Sequence, residues 1–330
     1  MTSFDTEGFP RQRGQMGEAL GQRRESKPQA GGTIPGGTIP GGGGQAAFSL
    51  TLREAMPVLI AVPHAGRCYP EALLARMRHP GEARLRLEDR FADLIAEAVA
   101  RETGAALIVA HAPRAMIDLN RAPDDIDWDM VSGPAPERRT RSAAGRRARS
   151  GLGLVPRRLP GMGELWKRPL EPGELNARIG GIHQPYHAVL GRTLERLRDR
   201  WGAALLIDLH SMPPLGPKHG RDAAPDFVIG DRFGSSSDAA LCAAAFEHVA
   251  AAGHGAAHNR PYAGGYGLDR HAAPARGLHA LQVEVCRATY LDARLSEPGP
   301  GMAQVVRVLG GLVRRLAQEL AARTLPQAAE

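Results

Sequence analysis

Three cysteines in 330 residues, Cys68, Cys242 and Cys286, are too few and too scattered for a disulfide framework or a cysteine-rich metal site. No apolar run approaches the roughly 18 residues that a membrane helix needs. The opening stretch MTSFDTEGFPRQRGQMGEAL has no apolar core next to a cleavage site, so no secretory signal is visible. A G-x-G-x-x-G fingerprint and a Walker loop are also missing, which leaves nucleotide binding without support. Together these absences predict a soluble, cytoplasmic protein. Hydrophobic residues nevertheless supply 43 % of the chain, enough for a full core, so wholesale disorder is excluded.

The net charge of +7 comes from one place. Between Glu137 and Arg168 stand Arg138, Arg139, Arg141, Arg146, Arg147, Arg149, Arg157, Arg158, Lys167 and Arg168, against only Glu137 and Glu164. That excess is larger than the net charge of the whole chain, so the remainder is close to neutral. A high isoelectric point can signal nucleic acid. Here the arginines lack the interleaved aromatics of a base-stacking surface. A solvated loop, or one that steers small anions, fits the segment better.

Residues 1–47 are polar and glycine-rich and end in the repeat GGTIPGGTIPGGGG. Such a composition buries little, which predicts a disordered tail ahead of a single domain over 48–330, with a basic loop at about 132–170. Within the domain, VLIAV (58–62), ALIVA (106–110), ALLIDL (204–209), 227–230 and HALQVEV (279–285) read as strands. Helical spacing links Leu87, Phe91, Leu94, Ile95 and Ala98. Further helices are expected from Pro185 to Trp201, through Leu241 to Val249, and from Met302 to Leu320. Alternating strands and helices predict an α/β fold with a doubly wound, mostly parallel sheet.

Three of these strands end in residues able to bind metal or move protons. VLIAV runs into His64, ALLIDL into His210 and Ser211, and HALQVEV carries Glu284. Because ligands of open α/β sheets bind at the carboxyl edge of the strands, these residues are expected to converge. Two imidazoles and a carboxylate with an open fourth position make a catalytic zinc site, and a further carboxylate can serve as base. Asp208 shares the strand parity of His210 and is placed to orient its ring. The segment from Arg114 to Arg121 mixes apolar residues with Arg, Asp and Asn, which is costly in a core unless the charges are paired. An arginine there suits an oxyanion or a carboxylate; a surface Asp–Arg salt bridge is the plainer alternative. His183 and His187 are four apart, but Pro185 favours a helix starting between them, which argues against a helical metal pair. Cys286 reads as a small buried residue. His79, His254 and His258 lie in polar or glycine-rich stretches and read as surface.

Over about residues 57–292 the chain resembles the N-formylglutamate amidohydrolase family. The resemblance rests on PHAG (63–66), DLNR (118–121), GLVPRR (153–158) with ELW (164–166), and HQPYH (183–187). It continues through IDLHSMP (207–213), NRPYAGGY (259–266) and HALQVEVCRATYLD (279–292). It implies a zinc-carboxypeptidase-like (phosphorylase/hydrolase-like) α/β fold and one Zn²⁺ per chain. It also implies hydrolysis of a small anionic N-acyl amino acid, N-formyl-L-glutamate above others, as in histidine degradation. By the same resemblance His64 and His210 are zinc ligands, Glu284 is the general base and Arg114 stabilises the oxyanion. Asn120 and Arg121 hold a substrate carboxylate, with Arg260 or Arg287 for the second.

One departure stands out: the Glu usually found three residues after the first zinc histidine is Arg67 here. The family pattern instead offers Glu88, Asp89 or Asp93, of which Asp89 is nearest the sheet edge. A related N-acyl amino acid deacylase, a peptidoglycan-type amidase and a nucleic-acid-binding protein using the 137–168 segment remain alternatives.

Overall fold

The computed structural model describes residues 32–133, 145–218, 220 and 223–324. Residues 1–31 of the expected tail, and Glu137, Arg138, Arg139, Arg141 and the Arg146 side chain of the basic segment, lie outside the described residues.

The strands are β1 (Thr33–Gly36), β2 (Phe48–Thr51), β3 (Val58–Val62), β4 (Ala106–Ala110) and a short pair, β5 (Arg158–Leu159) and β6 (Gly163–Glu164). They continue with β7 (Ala204–Met212), β8 (Phe227–Gly230), β9 (Ala256–His258) and β10 (Leu278–Cys286). The α-helices are α1 (Glu71–Arg76), α2 (Pro80–Leu87), α3 (Ala92–Thr103), α4 (Gly145–Arg149) and α5 (Pro172–Arg178). After them come α6 (Gln184–Trp201), α7 (Ala239–Ala251), α8 (Tyr266–His271) and α9 (Met302–Thr324). Eight strands form one sheet in the order β1-β2-β4-β3-β7-β10-β8-β9. The centre, β4-β3-β7-β10, is parallel, and β8 runs antiparallel to β10. No described helix is long and apolar enough to cross a membrane.

Strands of a parallel centre are covered on both faces, which is why they read as unbroken apolar runs. Every residue of β3 is buried. Ile60, Leu205, Ile207 and Val283 face α3, α7 and α9 through Ile95, Val99, Leu241 and Leu312. Leu59, Leu206 and Ala280 face the other way, onto Tyr186, Leu190 and Leu194 of α6 and the irregular segment that carries Met116, Leu154 and Trp166. The expected basic loop is therefore more than a solvated connection. Its described part forms α4 and the β5–β6 pair and buries Leu154, Leu159 and Leu165.

Two expectations are corrected. The last third of the expected tail, residues 32–47, is ordered, because β1 pairs antiparallel with β2 and Ile39 is buried beside it. A Cβ at Gly36 would stand 2.4 Å from the Phe48 ring, so glycine is what lets this edge lie flat on the core. The helical spacing from Leu87 to Ala98 also spans two helices, since α2 stops at Leu87 and α3 starts at Ala92. Between them Phe91 takes φ 59°, a left-handed conformation unusual for a bulky residue, with Arg67 and Arg90 stacked on its ring.

Candidate active site

The break between α2 and α3 brings Asp89 to the sheet edge. The Asp89 amide donates to the His64 carbonyl at 2.9 Å, so the break docks on the loop after β3. That loop packs closely on the next one: a Cβ at Gly66 would lie 2.0 Å from the Ala112 carbonyl oxygen. On the sheet itself, parallel register sets Glu284 of β10 directly beside His210 of β7, and Gln282 beside Asp208. His64, Asp89, His210 and Glu284 are all buried.

Both histidines turn Nδ1 to the same oxygen. Asp89 Oδ2 is 3.0 Å from His210 Nδ1 and 3.6 Å from His64 Nδ1. The donor atoms of the three residues lie within 4.8 Å of one another. From behind, Asp118 Oδ1 accepts from His64 Nε2 at 2.7 Å. The Asn120 amide lies 3.2 Å from His210 Nε2. Asp208 Oδ2 is 3.0 Å from that nitrogen but outside hydrogen-bonding angles, and is a buried oxygen without a hydrogen-bond partner. It is the acceptor available when Nε2 carries the proton. Imidazoles whose far nitrogens face carboxylates are the usual support of metal-binding histidines. Two such rings and one carboxylate, with room for a fourth ligand, fit Zn²⁺.

Of the three carboxylates left open by sequence, Asp89 alone faces the histidines. Asp93 is paired in a two-pronged contact with Arg67, at 2.9 and 2.6 Å, so the residue that stands where a Glu was expected takes Asp93 away from the site. Glu88 accepts from Arg90 at 2.8 Å. Ser211 donates to Asp89 Oδ1 at 3.1 Å. Burial raises the Asp89 pKa, but His210 and His64 outweigh it and hold the carboxyl well below its ordinary range. Glu284 goes the other way: burial, with Asp89 and Asp208 nearby, pushes its pKa up to about 7 against the pull of His210 and Arg114. Gln282 donates to Glu284 Oε1 at 2.9 Å.

A cavity of about 260 Å³ opens on these residues. Its wall carries Arg86, Arg114, Arg121, Arg147 and Arg287, and its far side is Pro261 to Gly265. Arg114 Nε donates to Asp118 Oδ2 at 2.9 Å. Arg121 donates to the carbonyls of Leu152 and Asn120. The Asn120 amide bridges Gln282 and the Gly267 N–H. Arg260 is corrected: its neighbour Asn259 turns inward to Asp231, the Arg260 side chain is exposed, and it is not among the described residues lining the cavity. Arg287 lines the cavity, but its donors go to Ser211 Oγ and to the carbonyls of Leu85 and Glu88. Three of its five N–H groups thus brace the segment that carries Asp89.

His183 and His187 stay out of the metal cluster. Their Nε2 atoms meet the carbonyls of Arg121 and Leu119 at 2.9 Å each, so HQPYH steadies DLNR from behind. Asp118, Gln282 and Arg147 were given no site role by sequence. Gln282 was within reach, as it breaks an apolar strand two residues before Glu284 and so shares its face. Arg147 had no local signal, being one basic residue among ten.

Residues 56–291 match the family model for N-formylglutamate amidohydrolase. The N-formylglutamate deformylase of Pseudomonas putida is 32 % identical over 241 residues, 72 % of this chain and 82 % of that protein. The Pseudomonas aeruginosa enzyme of the same name is 30 % identical over 274 residues, covering 82 % and 94 %. The crystal structure of N-formylglutamate amidohydrolase from Ralstonia eutropha superposes with a TM-score of 0.74 at 32 % identity, covering 84 % of this chain and 99 % of that one. This chain belongs to the N-formylglutamate amidohydrolase family.

Proposed function

We propose that the protein hydrolyses N-formyl-L-glutamate to formate and L-glutamate, using Zn²⁺ held by His64, Asp89 and His210. The observation that carries this reading is the shared focus of the two Nδ1 atoms and Asp89 beside a raised-pKa Glu284, in an arginine-walled cavity. Similarity to N-formylglutamate deformylases at 30–32 % identity supports the choice of substrate.

A zinc ion in this site supplies Lewis-acid activation of water and of the formyl carbonyl. Glu284 accepts a proton from the attacking water and passes it to the leaving amine. Gln282, by holding Oε1, fixes the carboxylate plane. Arg114, anchored through Nε to Asp118, presents its guanidinium to the oxyanion of the tetrahedral intermediate. The substrate is a dianion. Arg121 takes one carboxylate, and Arg147 is the cation in the wall best suited to the other, since Arg287 is committed elsewhere. Asn120, tied to Gln282 and the Gly267 N–H, shapes the cavity floor.

A substrate panel tests the reading. N-formyl-L-glutamate is expected to exceed N-formyl-L-alanine in kcat/KM by roughly 30-fold or more, because an unpaired buried arginine costs about 2–5 kcal/mol. It is expected to exceed N-acetyl-L-glutamate by the about 1–3 kcal/mol that one added methyl costs against a tight wall. Preference for N-acetyl or N-succinyl substrates would make the protein a related deacylase. Two of the described basic residues are taken away from a nucleic-acid surface: Arg157 is paired with Asp127 and Glu164, and Arg147 faces the cavity.

A further inference from the structure

A second cluster of metal-binding side chains stands on the α7 side of the sheet, and none of its members lines the cavity. Asp231 follows the last residue of β8, Cys242 lies in the first turn of α7, and His258 closes β9. Parallel pairing of β8 and β9 sets Ile229 beside His258, which brings Asp231 and the histidine together. His258 Nε2 is 3.4 Å from Cys242 Sγ and 3.1 Å from Asp231 Oδ2. All three donor atoms fall within 4.8 Å of one another. A tetrahedral zinc ion with bonds of about 2.0–2.3 Å holds its ligand atoms roughly 3.3–3.7 Å apart. The cluster is already near those dimensions.

Its supports point the same way. Asp231 Oδ1 accepts from Asn259 Nδ2 at 2.8 Å and from the Gly234 N–H at 3.0 Å, which leaves Oδ2 turned to the histidine. These donors and His258 outweigh burial and keep the carboxyl ionised. The Phe246 ring packs edge-on against the imidazole. A Cys–His–Asp nucleophile would need one imidazole nitrogen on the thiol and the other on the carboxylate. Here a single nitrogen faces both, a geometry for ligation rather than proton relay. Burial, with Asp231 beside it, pushes the thiol up to about 12, so the metal-free cysteine is a poor nucleophile. A bound cation would strip that proton outright.

We propose that Asp231, Cys242 and His258 form a second transition-metal site, suited to Zn²⁺ by its mixed sulfur, nitrogen and oxygen donors. The fourth position opens to solvent, since the His258 side chain is 49 % exposed. The ion would clip α7 to the edge strands. Asn259, which orients Asp231, also begins the segment whose residues Pro261–Gly265 wall the cavity. The site therefore braces that wall from outside without entering it.

Cobalt titration of the metal-free full-length protein tests this directly. The site of His64, Asp89 and His210 has no sulfur, so a near-ultraviolet thiolate-to-cobalt charge-transfer band reports the second site alone. The band is expected in the wild type and in His210→Ala, and is expected to vanish in Cys242→Ser and in His258→Asn. Each of the latter two should bind one Co²⁺ fewer per chain. His258→Asn alters a half-exposed side chain and keeps the thiol, so the thermal midpoint of its metal-free form should match the wild type, and its hydrolytic activity should persist. Absence of the band in the wild type, or its survival in either Cys242→Ser or His258→Asn, would overturn the proposal.

Discussion

Asp118 gathers the cationic side of the cavity. It accepts from His64 Nε2, Arg114 Nε and the Asn120 backbone N–H, and burial fails to raise its pKa because Arg114, His64 and Arg121 hold the carboxyl well below its ordinary range. Removing that charge loosens the histidine from behind. Asp118→Asn is expected to weaken Zn²⁺ binding by roughly 10–100-fold, measured by competition with a chromogenic chelator. Unchanged affinity with a lower kcat would instead place Asp118 in the service of Arg114. Glu284→Gln is expected to keep its zinc while kcat falls by about 10²–10⁴, the range of a general acid–base residue; equal loss of metal would make Glu284 a ligand. The same variant has a signature in the metal-free protein. A carboxyl whose folded pKa is raised binds its proton more tightly when folded, so stability is lost as pH rises from the unfolded value of about 4.3 through 7. Metal-free Glu284→Gln should therefore be more stable than the wild type at pH 8, by up to about 3 kcal/mol, with little gain at pH 4. A gain of equal size at both pH values in urea unfolding would contradict this origin.

Among the elements, β1 makes the sharpest prediction. Deleting residues 1–47 removes the partner of β2 and the buried Ile39, and uncovers the Phe48 ring. Relative to deletion of 1–31, it is expected to cost about 2–5 kcal/mol, the range for emptying one large aliphatic site. Equal thermal midpoints for the two truncations would show that β1 adds nothing. The strand was invisible in sequence because TIPG sits in a glycine–proline repeat and gains its structure from the edge it joins. By contrast β3, β4, β7, β8 and β10 were legible, since burial on both faces writes itself as an apolar run. The break at Glu88–Phe91 was hidden for a different reason: apolar spacing continues across it, and only the backbone of Phe91 reveals the turn. That break positions Asp89, which is why the carboxylate to join the histidines stayed open, while His64, His210 and Glu284 lie at strand ends whose convergence the parallel register explains.

At the scale of the whole molecule, the positive charge and the cavity belong together. The basic segment contributes Arg147 to a wall that already holds Arg114 and Arg121, so these three cations reach the cavity from two separate stretches of chain. Arg121→Leu is expected to raise KM for N-formyl-L-glutamate far more than for N-formyl-L-alanine; an equal rise for both would mean that Arg121 shapes the cavity without binding the side-chain carboxylate. All of this presupposes the metal. The most direct test follows formate release from N-formyl-L-glutamate by chelator-treated protein as Zn²⁺ is returned, beside metal analysis of His64→Ala and His210→Ala. Activity should vanish with the metal and return with it, and each variant should lose both zinc from this site and turnover. Full turnover by metal-free protein, or undiminished zinc and activity in the His64→Ala and His210→Ala variants, would contradict the account.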